Sequence, residues 1–426
     1  MTITQFLYYT LVLYSMFMIV KCKAIPVQHL VILSLFYYNA ILAIVALHAD
    51  FFSESDLPIF LNSAAMEQTV AEANITVSLI ASTVLIMGVK LRQFLFRNKR
   101  RTFDYIIPVS ISLQKWVGWL LLFAIILIIL GIGKYGISNF LSGYKTGAES
   151  RDTTGGGALV YFSYELIGFL TFIWISSFLQ IGKKNGISGV ITSVLILLGI
   201  TLIRGKRLEF VISLLPVILF YWETRLSNIS SRLLFVSCGA VLLSVGATLR
   251  LDRIDFNILF NIFSEGIYAG HVMSGVLDAA NSGVLHFEHG ARFLLAGLAI
   301  IPNFLFLGNK DDIYSTFSLQ EYGPLGATSF LAEIYLQGGY FSVVLFFLML
   351  GYICDAITIS SVFRGNLTIK KVIYIIFVCS FIPHFRDGIA PTIKIPAQIL
   401  LCFGLLLIFS GSKIIRKMVP HIKAQD

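Results

Sequence analysis

The sequence has few charged residues. Asp, Glu, Lys and Arg make up only 13% of its 426 residues, whereas soluble domains carry roughly 25%. Hydrophobic residues, in contrast, make up 57%. A core in water cannot enclose that much apolar surface, so the composition excludes a large soluble domain and indicates that lipid is the solvent for most of the chain.

Several motifs are also missing. The five cysteines show no CxxC spacing, so neither a disulfide framework nor a zinc site is indicated. The chain has no GxGxxG, Walker A or HExxH pattern, and this argues against an ATP-driven pump. No basic region precedes the first apolar run, so Ile3–Val20 is interpreted as a retained span rather than a signal peptide.

The hydrophobic residues are arranged in long runs, which predict an all-α polytopic membrane protein with about eleven transmembrane helices. The expected spans are 3–20, 28–47, 69–89, 115–133, 157–181, 186–203, 208–222, 232–249, 325–353, 370–383 and 394–410.

Loop charges predict the orientation of these spans. The net charge is +9, but most of the 32 Lys and Arg residues lie in alternate loops rather than in one patch, so a nucleic-acid partner is not expected. By the positive-inside rule these loops are cytoplasmic, which places the N-terminus in the periplasm and the C-terminus in the cytoplasm. Only four of the 23 Asp and Glu residues fall on this basic side, namely Asp104, Glu223, Asp355 and Asp426.

The organisation that follows has three parts: eight helices in 1–249, a large extracytoplasmic loop in 250–324, and three helices with a cytoplasmic tail in 325–426. Weakly apolar segments near Ile254–Val284 and Phe293–Leu307 predict short helices in the loop that lie on the membrane or dip into it.

One short turn departs from the charge pattern. Arg204-Gly205-Lys206-Arg207 joins spans six and seven on the side where basic residues are depleted, and Glu209 follows at the mouth of span seven. Guanidinium groups bind phosphate oxygens in bidentate fashion, so the turn is typical of phosphate recognition. The alternative is that the turn lies in the cytoplasm as an ordinary anchor.

A second charged group, His384-Phe385-Arg386-Asp387-Gly388, lies between spans ten and eleven, again on the outside. An Arg and a carboxylate at a membrane mouth often serve function, since charge burial there is costly. Adjacent residues on a helix do not face one another, so Arg386 and Asp387 are expected to have different partners. A surface ion pair that caps a span is the alternative.

Two further charges are candidates. Arg292, beside Glu288 and His289 in the long loop, could contact phosphate or sugar, or could lie on a solvated helix face. Glu333 lies within span nine, where a carboxylate faces an aqueous cavity or a partner charge such as Arg204 or Arg207.

These stretches resemble the Wzy-type polysaccharide polymerases of bacterial inner membranes. The resemblance rests on span six ending in Arg204-Gly-Lys-Arg207, on the loop segment from Ala291 to Gly308, and on the segment from Gly326 to Gly339 followed by Phe385-Arg386-Asp387-Gly388.

The resemblance implies a substrate, a sugar repeat unit on undecaprenyl diphosphate, and an enzyme that transfers the growing chain onto a new lipid-linked unit. The departing diphosphate gains negative charge, which fixed cations stabilise. Arg204, Arg207 and Arg386 are the candidates, with Lys206 and Arg292 behind them and Glu209 and His289 as further substrate contacts. Asp387, Glu333 and His384 are the candidate bases for the acceptor hydroxyl.

No metal cluster or cofactor is expected, so the resemblance predicts a metal-independent glycosyltransferase, inverting by analogy. Besides membrane lipid and the lipid-linked oligosaccharide, a protein that regulates chain length would be a natural partner. Two other functions stay open: an O-antigen ligase, which uses the same donor but a lipid A core as acceptor, and a flippase or transporter. Flippases tend to have short loops, unlike the loop at 250–324.

Overall fold

The computed structural model describes residues 2–48, 67–96, 101–135, 156–181, 207–239, 258–301, 319, 322, 328–412 and 414–420. The chain forms two compact units, each assembled from separate stretches of sequence. Unit 1 comprises Met1–Arg97, Leu259–Thr358 and Phe381–Ala397, and unit 2 comprises Asn98–Ile258, Ile359–Ser380 and Gln398–Asp426.

Helices account for most of the described residues. In chain order the elements are α1 (Ile3–Lys21), α2 (Val27–Leu35), a π-helical segment (Phe36–Ala40), α3 (Ile41–Leu47), α4 (Gln68–Phe96), β1 (Arg101–Ile106), α5 (Ile111–Tyr135), α6 (Gly156–Ile181), α7 (Arg207–Thr224), α8 (Ile229–Gly239), α9 (Ile258–Asn281), α10 (Ala291–Ile300), α11 (Phe330–Leu336), α12 (Gly339–Ile357), α13 (Ile369–Ile376), a second π-helical segment (Phe377–Phe381), a 3₁₀ segment (Ile382–Arg386), α14 (Ile389–Ser410) and β2 (Ile415–Pro420).

Seven helices in the described part of the chain are long and apolar enough to cross a membrane. They confirm the expectation of a helical, multi-pass membrane protein, while the count of eleven stays a prediction. The expected span 186–203 lies outside the described residues. The seven are Ile3–Lys21, Val27–Leu47, Gln68–Phe96, Ile111–Lys134, Phe162–Ile181, Gly339–Ile357 and Ile389–Ser410.

The expected span 325–353 is not one continuous helix. Helix α11 ends at Leu336, and α12 begins at Gly339 after a two-residue break at Gln337-Gly338. Gly339 has a φ of +64°, which a residue with a side chain rarely adopts, so the backbone changes direction here at little cost. The break separates the short helix that carries Glu333 from the helix long enough to span.

Within unit 1, α4 and α12 pack with their backbones in close contact. A Cβ atom on Gly88 would collide with the Leu348 carbonyl oxygen, and one on Gly351 would collide with that of Leu85. Small residues permit this approach between membrane helices. At the ends of these helices, Arg92 forms an ion pair with Asp355. The C-terminal ends of α4 and α12 therefore lie side by side.

Helix α9 lies in the segment expected to form a helix on the membrane or dipping into it, which stays a prediction, and its side chains contribute to the interior of unit 1. Val272, Met273 and Val276 are all completely buried. Gly270 packs against the π-helical segment, where an added Cβ would lie 3.0 Å from the Asn39 carbonyl oxygen. Gly270 permits this close approach because it has no side chain.

Unit 2 contains the one departure from an all-α fold among the described residues. Strands β1 and β2 form an antiparallel ribbon, with Arg101 opposite Pro420 and Ile106 opposite Ile415. The Ile107 N–H also donates to the Leu367 carbonyl oxygen at 2.9 Å. Three segments that the loop charges assign to one side of the membrane therefore lie together, although about 300 residues separate the two strands in sequence.

Candidate functional site

The site in unit 1 begins at the N-terminus of α11. Ser329 caps this helix, because its hydroxyl accepts a hydrogen bond from the Ala332 N–H at 3.3 Å. The same hydroxyl donates to Asn39 Oδ1 at 2.6 Å, which ties the cap to the interior of the unit. The cap fixes the position of Glu333 in the first turn of α11.

Glu333 meets Arg292 and Glu288 in a buried charged group, which we call the arginine cluster. Arg292 donates from Nε and Nη2 to the two carboxylate oxygens of Glu288, at 2.6 and 2.8 Å. Its Nη1 lies 3.3 Å from Glu333 Oε1. Both Arg292 and Glu333 are 7% exposed, which rules out a solvated helix face for Arg292. Two carboxylates share one guanidinium, so the three side chains carry an excess negative charge when ionised.

Gln337 completes the arginine cluster, and the sequence analysis did not identify it. Its side-chain amide donates to Glu288 Oε2 at 2.9 Å and to the Glu333 carbonyl oxygen at 3.1 Å. Its Oε1 accepts from the Gly290 N–H at 2.9 Å. The only sequence signal was an amide side chain directly after an apolar run. Gln337 joins the turn before α10 to the end of α11.

The arginine cluster is joined to the start of α14. Glu333 Oε2 accepts from the Ile389 N–H at 2.6 Å. The preceding residue, Gly388, has a φ of +86°, and a Cβ atom there would collide with the Glu333 carboxylate. Both oxygens of Glu333 are thus engaged, one by Arg292 and one by the backbone. Because Arg292 supplies this partner, the expected pairing of Glu333 with Arg204 or Arg207 is not needed to explain its burial.

The residues just before Gly388 form a second polar group, the His384–Asp387 turn. His384 Nδ1 lies 2.8 Å from Asp387 Oδ2, and Arg386 Nε donates to Asp387 Oδ1 at 3.0 Å. The expectation that Arg386 and Asp387 have different partners is wrong for this contact, because a 3₁₀ segment ends at Arg386 and the chain then turns. In an α-helix the two side chains would diverge.

Two threonines hold the backbone of this turn. Thr392 Oγ1 donates to the carbonyl oxygens of His384 and Gly388, at 2.9 and 2.5 Å. Thr328 Oγ1 donates to the Arg386 carbonyl oxygen at 2.8 Å. His384 is completely buried, whereas the side chains of Arg386 and Asp387 are 28% and 24% exposed. The turn therefore presents an arginine and a carboxylate to the surroundings on a fixed backbone.

The two carboxyl groups differ in acidity. Burial opposes ionisation of Asp387, but the Arg386 guanidinium and the hydrogen bond with His384 outweigh it and hold the pKa of Asp387 well below its usual range. For Glu333, which lies on the short helix before the α12 span, the effect of burial on the pKa is instead the larger one. Burial raises the pKa of Glu333 to about 7, although Arg292 and the Ile389 N–H oppose the rise.

The remaining predicted residues are not part of these two groups. Arg204 and Lys206 lie outside the described residues. Arg207 and Glu209 begin helix α7 of unit 2, and only their backbone is described. His289 is exposed in the turn before α10, with a φ of +48°. The two groups thus contain seven residues. Five of them were predicted as catalytic or substrate-binding, namely Arg292, Glu333, His384, Arg386 and Asp387, and two, Glu288 and Gln337, are found only in the structure.

Comparisons with known proteins do not assign the chain. No known family, curated protein or solved structure matches it. Within the described ranges, no three His, Cys, Asp or Glu side chains are grouped so that they could hold a metal ion. The chemistry of the two polar groups and the resemblance of the sequence are what indicate a function.

Proposed function

We propose that the protein is a glycosyltransferase that polymerises oligosaccharide repeat units carried on undecaprenyl diphosphate, at the periplasmic face of a bacterial inner membrane. The observation that carries the proposal is that three stretches on which the resemblance rests meet in unit 1. Arg292 comes from the segment Ala291–Gly308, Glu333 from the segment Gly326–Gly339, and the turn at Arg386 to Gly388 from the segment that begins at Phe385. Residues that meet from distant parts of a chain, with charges buried among them, are typical of functional sites.

The position of the site along α12 supports a periplasmic location. The arginine cluster adjoins the N-terminal end of this helix, through Gln337, and the Arg92–Asp355 pair lies near its C-terminal end. A 19-residue helix spans roughly 28 Å, about the thickness of a hydrocarbon core. Arg92 belongs to the most basic loop of the sequence, which the positive-inside rule assigns to the cytoplasm. The arginine cluster then belongs on the opposite face.

The geometry favours different roles for the two arginines. Arg292 is buried between two carboxylates, so it positions the site rather than binding diphosphate. Arg386 is partly exposed, and we assign it to the diphosphate. As the acceptor hydroxyl attacks the anomeric carbon, the bond to the diphosphate oxygen breaks and that oxygen gains negative charge, which a guanidinium stabilises. Arg204 and Arg207 remain proposed as further diphosphate contacts.

The acceptor hydroxyl must lose its proton to a base. Of the three candidates, Glu333 has a pKa suited to the task but is only 7% exposed, and His384 is completely buried. Asp387 is the accessible carboxylate, and geometry takes precedence over pKa in choosing a base. We therefore assign the proton to Asp387, with His384 as its positioning residue.

The test uses purified protein in lipid nanodiscs and a lipid-diphosphate-linked repeat unit as the sole sugar substrate. We expect wild-type protein to produce a ladder of longer chains, Arg386→Ala and Asp387→Asn to lose the ladder, and the matched arginine variant Arg92→Ala to retain it. A polymerase needs no other acceptor, whereas a ligase would be inactive until a lipid A core is added, and a flippase would form no glycosidic bond in either mixture.

If Arg386→Ala protein with wild-type thermal stability still made full-length chains, the assignment of Arg386 to the diphosphate would be wrong. If wild-type protein formed no chains from the donor alone, polymerisation itself would be excluded. A single core-linked product that appears only with added lipid A core would identify a ligase.

A further inference from the structure

Helix α4 has polar side chains on three successive turns inside its membrane-spanning length. Asn74, Ser78 and Ser82 follow one another at intervals of four residues, so they lie along one face of the helix. All three are 0% exposed. This polar stripe plays no part in the arginine cluster or the His384–Asp387 turn.

The polar stripe contains oxygen atoms that the protein does not satisfy. Asn74 Oδ1, Ser78 Oγ and Ser82 Oγ have no hydrogen-bond partner among the described residues. Tyr8 of α1 adds a fourth oxygen. Its completely buried hydroxyl faces Ser78, but it forms no well-aligned hydrogen bond with Ser78 or with any other described residue. Such oxygens therefore lie along one face of α4, over roughly 12 Å of its length, with the Tyr8 hydroxyl beside the middle one.

The orientation of the Asn74 side chain is fixed by its other hydrogen bonds. Nδ2 donates to the Asn39 carbonyl oxygen at 3.1 Å and to Ser274 Oγ at 3.4 Å. A flipped amide would place two oxygens against each other at Asn39. Asn39 belongs to the π-helical segment, where a widened turn leaves carbonyl groups available to other partners. The unsatisfied atom is thus the Asn74 carbonyl oxygen, an acceptor that needs a donor.

Dry burial of these oxygens would be unfavourable. Each buried polar atom without a partner loses its hydration, and lipid offers nothing in exchange. Buried water normally satisfies such atoms, and a water molecule needs two to four polar partners. Here one acceptor and three hydroxyls, which can both donate and accept, supply them.

We propose that the polar stripe of α4, together with the Tyr8 hydroxyl, binds ordered water inside unit 1. The site reaches towards the N-cap of α11, because Asn39 also accepts from Ser329. The proposal does not depend on the proposed function. It rests on buried oxygen atoms that lack hydrogen-bond partners, whatever substrate the protein uses.

Radiolytic hydroxyl labelling of the full-length protein in nanodiscs tests this proposal, because X-rays generate radicals from bound water within the protein. A radical scavenger in the buffer removes those formed in bulk solvent. We expect Tyr8 to be oxidised well above Tyr374, a tyrosine of unit 2 that is equally buried. Labelling of Tyr8 no greater than that of Tyr374, or labelling that the scavenger abolishes, would overturn the proposal.

The double variant Ser78→Ala/Ser82→Ala provides a second measurement. If water occupies the site, the variant loses the excess labelling of Tyr8, and its Tm is unchanged or lower. If the hydroxyls are dry, their removal relieves an unfavourable burial and the Tm rises, which refutes the site. Ser213→Ala is the matched control, since that buried hydroxyl of unit 2 donates to the Tyr164 carbonyl oxygen at 3.4 Å. It should leave the labelling of Tyr8 unchanged.

Discussion

Replacement of Gly388 by alanine should strongly destabilise unit 1. The left-handed φ of +86° costs a residue with a Cβ atom about 1–2 kcal/mol. The new Cβ also displaces the Glu333 carboxylate, which cannot swing aside without losing its contact with Arg292 or with the Ile389 N–H. A charge-assisted hydrogen bond contributes about 1.5–3 kcal/mol. Together these losses come to roughly 3–5 kcal/mol.

The assay must report on unit 1 alone. All four tryptophans (Trp116, Trp119, Trp174 and Trp222) lie in unit 2, so their fluorescence would follow the other unit. Cys354 is completely buried in α12 of unit 1. Alkylation of Cys354 on heating, followed by peptide mass spectrometry, therefore gives the Tm of unit 1. We expect Gly388→Ala to lower it by several degrees.

Gly283→Ala is the matched control. Gly283 has a φ of +73° and lies in the same unit, but an added Cβ there would meet no atom within 4 Å. Gly283→Ala should therefore lower the stability only by the cost of the left-handed backbone conformation. In a Glu333→Ala background, moreover, Gly388→Ala should cost less than in wild-type protein, because the obstructing carboxylate is gone. Equal shifts for Gly388→Ala and Gly283→Ala would refute the reasoning.

Three other predictions concern different parts of the chain. Gly88→Ala and Gly351→Ala should each lower the Tm measured at Cys354, because their Cβ atoms collide with backbone carbonyls; Gly297→Ala in α10 of the same unit, where an added Cβ would meet no atom within 4 Å, should not lower that Tm. Glu223→Ala should reduce the stability of unit 2 by about 1–3 kcal/mol, because it removes the acceptor of the buried Val362 and Phe363 N–H groups. The Tm of unit 2, followed by tryptophan fluorescence, should fall accordingly. An unchanged Tm would show that those N–H groups have another acceptor. The depressed pKa of Asp387 means that its ionised form stabilises the fold above the unfolded pKa, near 3.9, and that this contribution is lost as the pH falls through the lower folded pKa. The Tm difference between wild type and Asp387→Asn should thus be constant from about pH 5 to 8 and shrink below about pH 4; a change between pH 5 and 8 would contradict it.

The spans were predictable wherever a long apolar run coincides with one helix, as in α1, α4 and α6. Hydropathy averaged over a window shows which segments prefer lipid to water, but it contains no information about backbone geometry. It could not detect the two-residue break at Gln337-Gly338, which interrupts neither the apolar run nor its average. For the same reason it could not detect the close packing of α9 through Gly270 against residues distant in sequence.

The candidate site was only partly predictable. Sequence reasoning found the unusual charges, since a carboxylate or guanidinium in an apolar stretch is conspicuous. It could not pair them, because Arg292 and Glu333 are 41 residues apart. Glu288 and Gln337 were not predicted as site residues, since a carboxylate in a polar loop and a single amide have no distinctive pattern. Their roles depend on hydrogen-bond geometry that only the fold supplies.

The interlocked glycines of α4 and α12 limit how the site can respond to a bound molecule. With the two backbones in contact at Gly88 and Gly351, neither helix can slide or rotate without breaking both contacts. We therefore expect α4 and α12 to move together as one unit. The arginine cluster therefore adjoins a tightly packed pair of helices, from which α11 is separated only by Gln337 and Gly338.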